Sequence, residues 1–166
     1  MIWNIIVVVL TFLGMEFVAW AAHKYIMHGF LWHLHEDHHR GGYHPFQKND
    51  AFFLIFAIPS MLCLIFGPTM QIGWLTAIGF GILLYGFCYF LVHDVIIHQR
   101  FKWFRNSDNR YIRAVRWAHK MHHRHLTKEE GESFGLLIIS KKYREKIRRD
   151  DDLKKEGNLS KTASGF

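Results

Sequence analysis

The chain has 166 residues, of which half are hydrophobic, and a net charge of +7. Its length suits a single domain, but 15 Phe and 6 Trp are more aromatic residues than a small soluble core normally needs. The composition therefore argues against an ordinary soluble domain and favours a membrane protein.

The first element is a nearly unbroken apolar run over residues 2–22. As a helix this run would extend roughly 31 Å, which matches the hydrocarbon core of a bilayer. It lacks the basic segment and the cleavage site of a secretory signal, so we expect the mature protein to retain it. No helix breaker precedes Gly29, which predicts that the helix leaves the lipid and continues through His23 and His28.

Glu16 lies inside this run. An acid in a membrane span is costly and usually faces a partner within the bundle. Glu16 precedes His23 by seven residues and lies on nearly the same helix face. We expect it to form a structural hydrogen bond or one that supports a metal ligand; the alternatives are a substrate or proton path and a misjudged membrane boundary.

Two further apolar runs, residues 51–67 and 72–92, are joined by the short turn 68–71 and predict a transmembrane hairpin. The turn-rich residues 41–45 would lead the chain back into this hairpin. The third helix, like the first, is predicted to continue past the lipid.

The remainder of the chain is polar and basic. Ser107 or Asp108 is expected to cap a helix that begins near Asn109 and carries the last histidines. We expect a single domain over residues 1–149 and a polar, flexible tail over residues 150–166. The fold class is therefore an all-α integral membrane protein, a bundle of about three transmembrane helices with a helical cap.

Charge is distributed unevenly along the chain. Residues 1–98 carry a net charge of −2 and residues 99–166 a net charge of +9. With three spans, the loop 23–50 and the segment after residue 93 lie on the same side of the membrane. The positive-inside rule predicts that this side is the cytoplasm.

Ten of the 13 histidines form one pattern repeated twice, HxxxxH followed by HxxHH. The ten are His23, His28, His35, His38, His39, His93, His98, His119, His122 and His123. Imidazole is the commonest metal ligand, and ten are too many for one metal that must leave positions open. The pattern predicts two metals in the cap, and ligand type alone allows Zn, Cu, Fe or Ni.

The spacing within the pattern sets the expected geometry. On an α-helix, positions i, i+3 and i+4 fall within an arc of about 100°, so each HxxHH triplet is predicted to face one centre. In HxxxxH, a regular α-helix would place the second imidazole about 140° around the helix axis from the first. This predicts either a π-bulge or a pair of histidines that reaches the site from different sides. We expect His33, His44 and His125 to support ligands or lie at the surface, and Asp94 to support a ligand.

Five stretches of the sequence resemble the bacterial β-carotene hydroxylases: HKYIMHG (23–29), HEDHH (35–39), HDVIIHQR (93–100), AHKMHH (118–123) and KEEGESFG (128–135). These enzymes belong to the membrane fatty acid hydroxylase superfamily of non-haem di-iron enzymes. The resemblance implies that the ten patterned histidines bind two iron ions in a bacterial inner-membrane enzyme. It also implies O2-dependent hydroxylation of β-carotene at carbon 3 of each β-ionone ring, giving β-cryptoxanthin and then zeaxanthin.

Such an enzyme would take a carotenoid sideways from the lipid. Phe87, Tyr89, Phe90 and Trp117 are candidates to line its path, although core packing or lipid contact is their more ordinary role. The sequence contains no dinucleotide-binding motif and no CxxC pair, so an external electron donor such as reduced ferredoxin is expected. The basic half could dock that donor or hold anionic lipid headgroups, and no nucleic-acid partner is expected.

Other functions share parts of this pattern. A fatty acid, sterol or alkane hydroxylase and a carotenoid ketolase would use the same di-iron site, but the five stretches argue against them. A metal transporter or metal-binding membrane module is the alternative outside enzymes. It would place ligands near mid-bilayer rather than at the ends of spans.

Overall fold

The computed structural model describes residues 1–41 and 47–163, and within these ranges all regular structure is helical, as predicted. The helices are α1 (Ile2–Ala21), α2 (Trp32–Arg40), α3 (Ala51–Thr69), α4 (Gly73–Tyr89), α5 (Arg110–His122) and α6 (Lys141–Ala163). Two π-helical segments continue the membrane helices: π1 (Ala22–Phe30) after α1, and π2 (Phe90–Ile97) after α4. Single turns of 3-10 helix lie at Lys48–Asp50 and Lys102–Phe104.

In the described part of the chain, three helices are long and apolar enough to cross a membrane: Ile2–Phe30, Lys48–Thr69 and Gly73–Ile97. Their outward side chains remain exposed on the isolated chain, for example Phe17 at 67% and Phe53 at 65%. Apolar side chains in such positions are suited to lipid rather than water. The three predicted spans are therefore confirmed as helices of membrane length.

The membrane helices pack closely because small residues lie between them. α4 packs against both α1 and α3. A Cβ atom added at Gly67 would lie 2.3 Å from Thr76 Oγ1, and one at Gly81 would lie 2.6 Å from Thr11 Cβ. The predicted hairpin between α3 and α4 is present, and it closes where the Ile72 N–H donates to the Gly67 carbonyl at 2.7 Å.

The helical cap of the membrane bundle is built from α2, α5 and α6. Asn109 caps α5, because its side-chain oxygen accepts from the backbone N–H groups of Tyr111 and Ile112. The helix begins where predicted, but the prediction of Ser107 or Asp108 as its N-cap residue was wrong. α5 and α6 share a core of buried apolar residues with the connecting segment: Ala114, Val115, Ala118, Ile139, Tyr143 and Ile147.

α6 continues to Ala163, so helix extends into the segment for which the sequence predicts a polar tail from residue 150. Residues 132–140, which the sequence left unplaced, form no regular helix. Instead they lead into α6 and pass beside Glu16 of α1, with Leu136 and Ile139 buried. This path places them directly beside the histidines.

Candidate metal centre

Each HxxxxH pair is spanned by π-helical backbone, with His98 directly after the last residue of π2. The His98 N–H donates to the His93 carbonyl at 2.9 Å, and the Leu31 N–H donates to the Ile26 carbonyl at 3.0 Å. This five-residue hydrogen bonding widens the turn, so residues five apart come onto one face. The ring centroids lie 5.3 Å apart for His23 and His28, and 4.5 Å apart for His93 and His98. Of the two geometries expected for HxxxxH, the structure has the π-helical one at both positions.

The structure gathers nine of the ten patterned histidines into two groups, within each of which one ring nitrogen per residue lies within 4.8 Å of the others. Cluster 1 consists of His23, His28, His35, His39 and His122, and cluster 2 of His38, His93, His98 and His119. The tenth, His123, belongs to neither group, although its Nε2 atom lies 2.7 Å from that of His119. Two groups match the predicted number of metals.

Each HxxHH triplet is divided between the clusters, so the expectation that a triplet faces one centre was wrong. His35 and His39 lie about 40° apart around the helix, and their Nε2 atoms lie 3.1 Å apart. His38 is rotated about 60° from His35 in the opposite sense and belongs to cluster 2. His119 and His123 are paired in the same way, and His122 crosses to cluster 1. The middle histidine of each triplet therefore belongs to the opposite cluster.

The Nδ1 atoms of cluster 1 are fixed by hydrogen-bond acceptors. His23, His28, His39 and His122 each donate from Nδ1 to a backbone carbonyl, at 2.8 to 3.2 Å. A carbonyl can only accept, so the single proton of a neutral imidazole is on Nδ1 and a lone pair remains on Nε2. His35 completes the set by donating to Asn49 Oδ1 at 2.7 Å.

Burial keeps these imidazoles neutral. It lowers the pKa of His39 from 6.5 to about 4, and the neighbouring His28 contributes to the same shift. Burial also lowers the pKa of His122 to about 2. Near neutral pH, both side chains are therefore uncharged and can offer a lone pair.

The converging lone pairs fit a metal ion. The Nε2 atoms of His23 and His35 lie 3.1 Å apart, and those of His28 and His122 lie 3.3 Å apart, with no proton between them. Unprotonated nitrogens at that separation repel each other unless a cation lies between them. Two ligands about 2.1 Å from a metal and at right angles would lie about 3.0 Å apart. The donor set of cluster 1 therefore fits a metal bound by imidazoles.

In cluster 2, Nδ1 atoms also face oxygen atoms, but these belong to side chains rather than to the backbone. His38 donates from Nδ1 to Gln47 Oε1 at 2.8 Å, and its buried Nε2 has no hydrogen-bond partner in the described part of the chain. His93 Nδ1 lies 3.5 Å from Asp94 Oδ2, and Arg100 holds the other oxygen of that carboxylate. An orphaned, buried lone pair among three further imidazoles again fits a metal ion.

The remaining predicted residues have varied positions. Glu16 accepts from the N–H groups of residues 136–138 and from the Tyr85 hydroxyl, so it makes the structural hydrogen bonds expected of it. His125 reaches cluster 1 through its backbone carbonyl, which accepts from His39. His33 is exposed on α2. His44 lies outside the described residues.

Several residues at the clusters were missed by sequence reasoning. Asn49 and Gln47 bind His35 and His38, and the only signal was a polar QKN run just before an apolar span. Trp32 and Phe134 pack with their rings 5.1 Å from that of His28. These two aromatic rings form an apolar side of cluster 1.

An apolar cavity of about 840 Å³ reaches both clusters from the membrane helices. Its histidines are His23 of cluster 1 and His93 and His119 of cluster 2, and the rest of its wall is mainly apolar. Of the aromatic candidates, Phe87, Tyr89 and Phe90 line the cavity. Trp117 does not, since it packs on the core between α5 and α6. An apolar molecule in this cavity would lie against both groups of imidazoles.

The family model and the relatives that match this chain all describe hydroxylases. The family model described as "Fatty acid hydroxylase" matches residues 8–140. The chain is 42% identical over 137 residues to "Beta-carotene hydroxylase" of Pantoea ananas, covering 82% of this chain and 77% of that protein. It is 36% identical over 141 residues to "Beta-carotene hydroxylase" of Pseudescherichia vulneris, covering 85% and 80%.

A plant relative is longer. The chain is 38% identical over 135 residues to "Beta-carotene 3-hydroxylase, chloroplastic" of Gentiana lutea, covering 80% of this chain but 42% of that protein. No solved structure matches the chain.

Proposed function

Because this chain belongs to the fatty acid hydroxylase family, we propose that it hydroxylates β-carotene at carbon 3 of each β-ionone ring, forming β-cryptoxanthin and then zeaxanthin. The main support is the apolar cavity that runs from the membrane helices to both histidine clusters. Relatives that match most of this chain are named for hydroxylation of β-carotene. The cavity suits such a substrate, since a carotene is a hydrocarbon that dissolves in lipid.

In this proposal the histidines of clusters 1 and 2 hold two iron ions, with His123 beside cluster 2 as a further ligand. Iron at these positions would supply the activation of O2 that attack on an unactivated C–H bond requires. One oxygen atom enters the product and the other leaves as water. The reaction therefore consumes two electrons and two protons from outside the chain.

The residues of the chain bind and shield the reacting groups. His23, His93 and His119 form the polar end of the cavity, and the apolar wall orients a ring toward them. Phe134 lines the cavity and covers His23 with its ring 5.4 Å away. Its apolar side chain excludes water from the space between substrate and cluster 1, which limits unproductive reduction of O2.

The proposed location is a bacterial inner membrane, with both clusters on the cytoplasmic side. The excess of Lys and Arg after residue 98 supports that orientation. The electron donor would be a reduced ferredoxin or a similar protein, and the basic cap surface has the charge to bind an acidic partner.

Pigment analysis tests the activity. We expect bacteria that accumulate β-carotene to form zeaxanthin and some β-cryptoxanthin when they express this chain with sufficient iron. Unchanged β-carotene, with the protein present in the membrane, would refute the proposal. Canthaxanthin would instead identify a ketolase.

A matched pair of variants tests the site. His38→Ala removes a buried imidazole from cluster 2, whereas His33→Ala removes an exposed imidazole from the same helix. We expect His38→Ala to lose more than the roughly 10- to 100-fold typical of lost supporting groups, and His33→Ala to stay within about twofold of wild type. Equal activity of the two variants would exclude His38 as a ligand.

A further inference from the structure

Residues 125–134, here called the strap, lie against cluster 1 and hold it through main-chain carbonyls. The carbonyls of His125, Lys128, Glu132 and Phe134 accept from four of the five cluster 1 histidines. Among the described contacts of cluster 2, none involves the strap. One irregular segment thus sets the tautomer and orientation of most imidazoles in a single cluster.

The strap has no helix or strand to define its shape. Two of its residues, Glu130 and Ser133, have φ angles of +61°, which side-chain-bearing residues rarely adopt. Its carbonyls are therefore held in place by tertiary contacts, which include the ion pair between Glu132 and Lys142 of α6 and the contacts at the two ends of the strap. One end is fixed where α5 terminates at His122, which is itself a member of cluster 1.

The other end is held by Glu16 of α1. One carboxylate oxygen, Oε1, accepts from three consecutive backbone N–H groups, those of Leu136, Leu137 and Ile138, at 2.9 to 3.1 Å. The other oxygen, Oε2, accepts from the buried Tyr85 hydroxyl at 2.8 Å. Glu16 lies on the helix that continues into His23, whose Nδ1 donates to the strap carbonyl of Phe134. The carboxylate therefore fixes the strap relative to the helix that carries the first ligand.

We propose that Glu16 is a positioning residue for cluster 1 alone. By binding residues 136–138 it keeps the strap carbonyls on the Nδ1 atoms, so that the Nε2 lone pairs remain directed at one metal. This inference rests on the proposed function in one respect, the binding of two metals. It predicts that loss of Glu16 empties one site and leaves the other filled.

Metal content per chain is the measurement, made on full-length protein purified in detergent from iron-supplied cells. We expect wild type to hold about two irons and Glu16→Ala about one. Glu16→Gln keeps an oxygen that can accept from the same N–H groups, so it should retain most of the second iron. Tyr85→Phe is the matched control, since it removes the contact to Oε2 without touching the N–H groups, and it should hold about two irons.

The remaining iron must also be assigned to a site. His28→Ala and His98→Ala give one-metal references for loss at cluster 1 and at cluster 2, and the Mössbauer spectrum of Glu16→Ala should match that of His28→Ala. Glu16→Ala with two irons, or with the spectrum of His98→Ala, would overturn the proposal. Wild type without iron would refute the two-metal part of the proposed function, and the inference with it.

Gly135→Ala provides a second route that leaves Glu16 in place. A Cβ at Gly135 would lie 2.6 Å from the Ile138 carbonyl oxygen, so the turn that Glu16 binds must shift. We expect the same selective loss of one iron. If neither Glu16→Ala nor Gly135→Ala reaches the membrane as folded protein, the proposal is also overturned, because these positions would then serve folding as a whole.

Discussion

Asn49→Ala tests how far cluster 1 depends on a single supporting side chain. Asn49 Oδ1 accepts from His35 Nδ1 at 2.7 Å, and the two residues are 7% and 1% exposed. Water therefore has little room to replace the lost amide. Without an acceptor, His35 either keeps an unsatisfied N–H or moves its proton to Nε2, where it blocks metal binding.

The expected magnitude follows from two independent considerations. Loss of the partner of a buried donor costs about 1 to 3 kcal/mol. Loss of a group that supports a metal-bound histidine typically weakens metal binding by about 10- to 100-fold, which equals about 1.4 to 2.7 kcal/mol. Both estimates predict metal affinity lower by one to two orders of magnitude at cluster 1.

Competition with a chelator measures this affinity in detergent-purified protein. We expect Asn49→Ala to release about one metal per chain at a chelator concentration about 10- to 100-fold lower than wild type requires. Asn49→Asp should hold its metal, because a carboxylate also accepts from Nδ1. Lys48→Ala alters an exposed neighbour and should behave as wild type. If Asn49→Ala retained metal as tightly as these controls, the hydrogen bond to His35 would have no part in metal binding.

Two further predictions concern the scaffold. Gly81→Ala should destabilise the packing of α1 on α4 by about 1 to 3 kcal/mol, because its Cβ would lie 2.6 Å from Thr11 Cβ. Melting in detergent measures the loss. Gly86→Ala is the control and should melt no lower than wild type, because there is open space around its Cβ and Ala favours a helix over Gly. Asp151→Asn should lower the melting temperature at pH 7, since a hydrogen bond from Arg113 holds the pKa of Asp151 below 3.8 in the folded protein. The carboxylate stabilises the fold above pH 3.8 and loses that effect as the pH falls through its folded pKa, so the deficit should shrink below about pH 4; a deficit that stays constant down to pH 3 would refute this.

Much of the architecture could be read from local sequence properties. Apolar runs of membrane length predicted the three spans, because the length of a helix in lipid is set by bilayer thickness. The 140° offset of each HxxxxH pair predicted either a π-bulge or a pair that reaches the site from different sides, since rotation per residue is a local property of a helix, and the structure has the π-helical form. These predictions need no knowledge of tertiary contacts.

The division of the histidines could not be read in this way. Helical spacing gives the direction of each side chain around the axis of its helix. Which cluster His38 or His122 joins depends instead on how α2 and α5 are placed relative to each other. The roles of Asn49 and the strap also depend on contacts between residues far apart in sequence. Phe134, for example, binds His23 across 111 residues through a main-chain carbonyl, an atom that every residue possesses and no motif can signal.

Because of the exchange of His38 and His122, both clusters need the two halves of the chain to come together. Cluster 1 draws four histidines from the first half of the chain and His122 from the second, and cluster 2 has the converse arrangement around His38. Neither donor set is complete until the histidines of residues 35–39 meet those of residues 119–123, as the rings of His39 and His122 do with their centroids 4.6 Å apart. Metal binding must therefore favour the packed cap, because a ligand that binds the folded state stabilises it. The same exchange explains why two copies of one local motif form a joint site, since two separate sites would require each triplet to face its own metal.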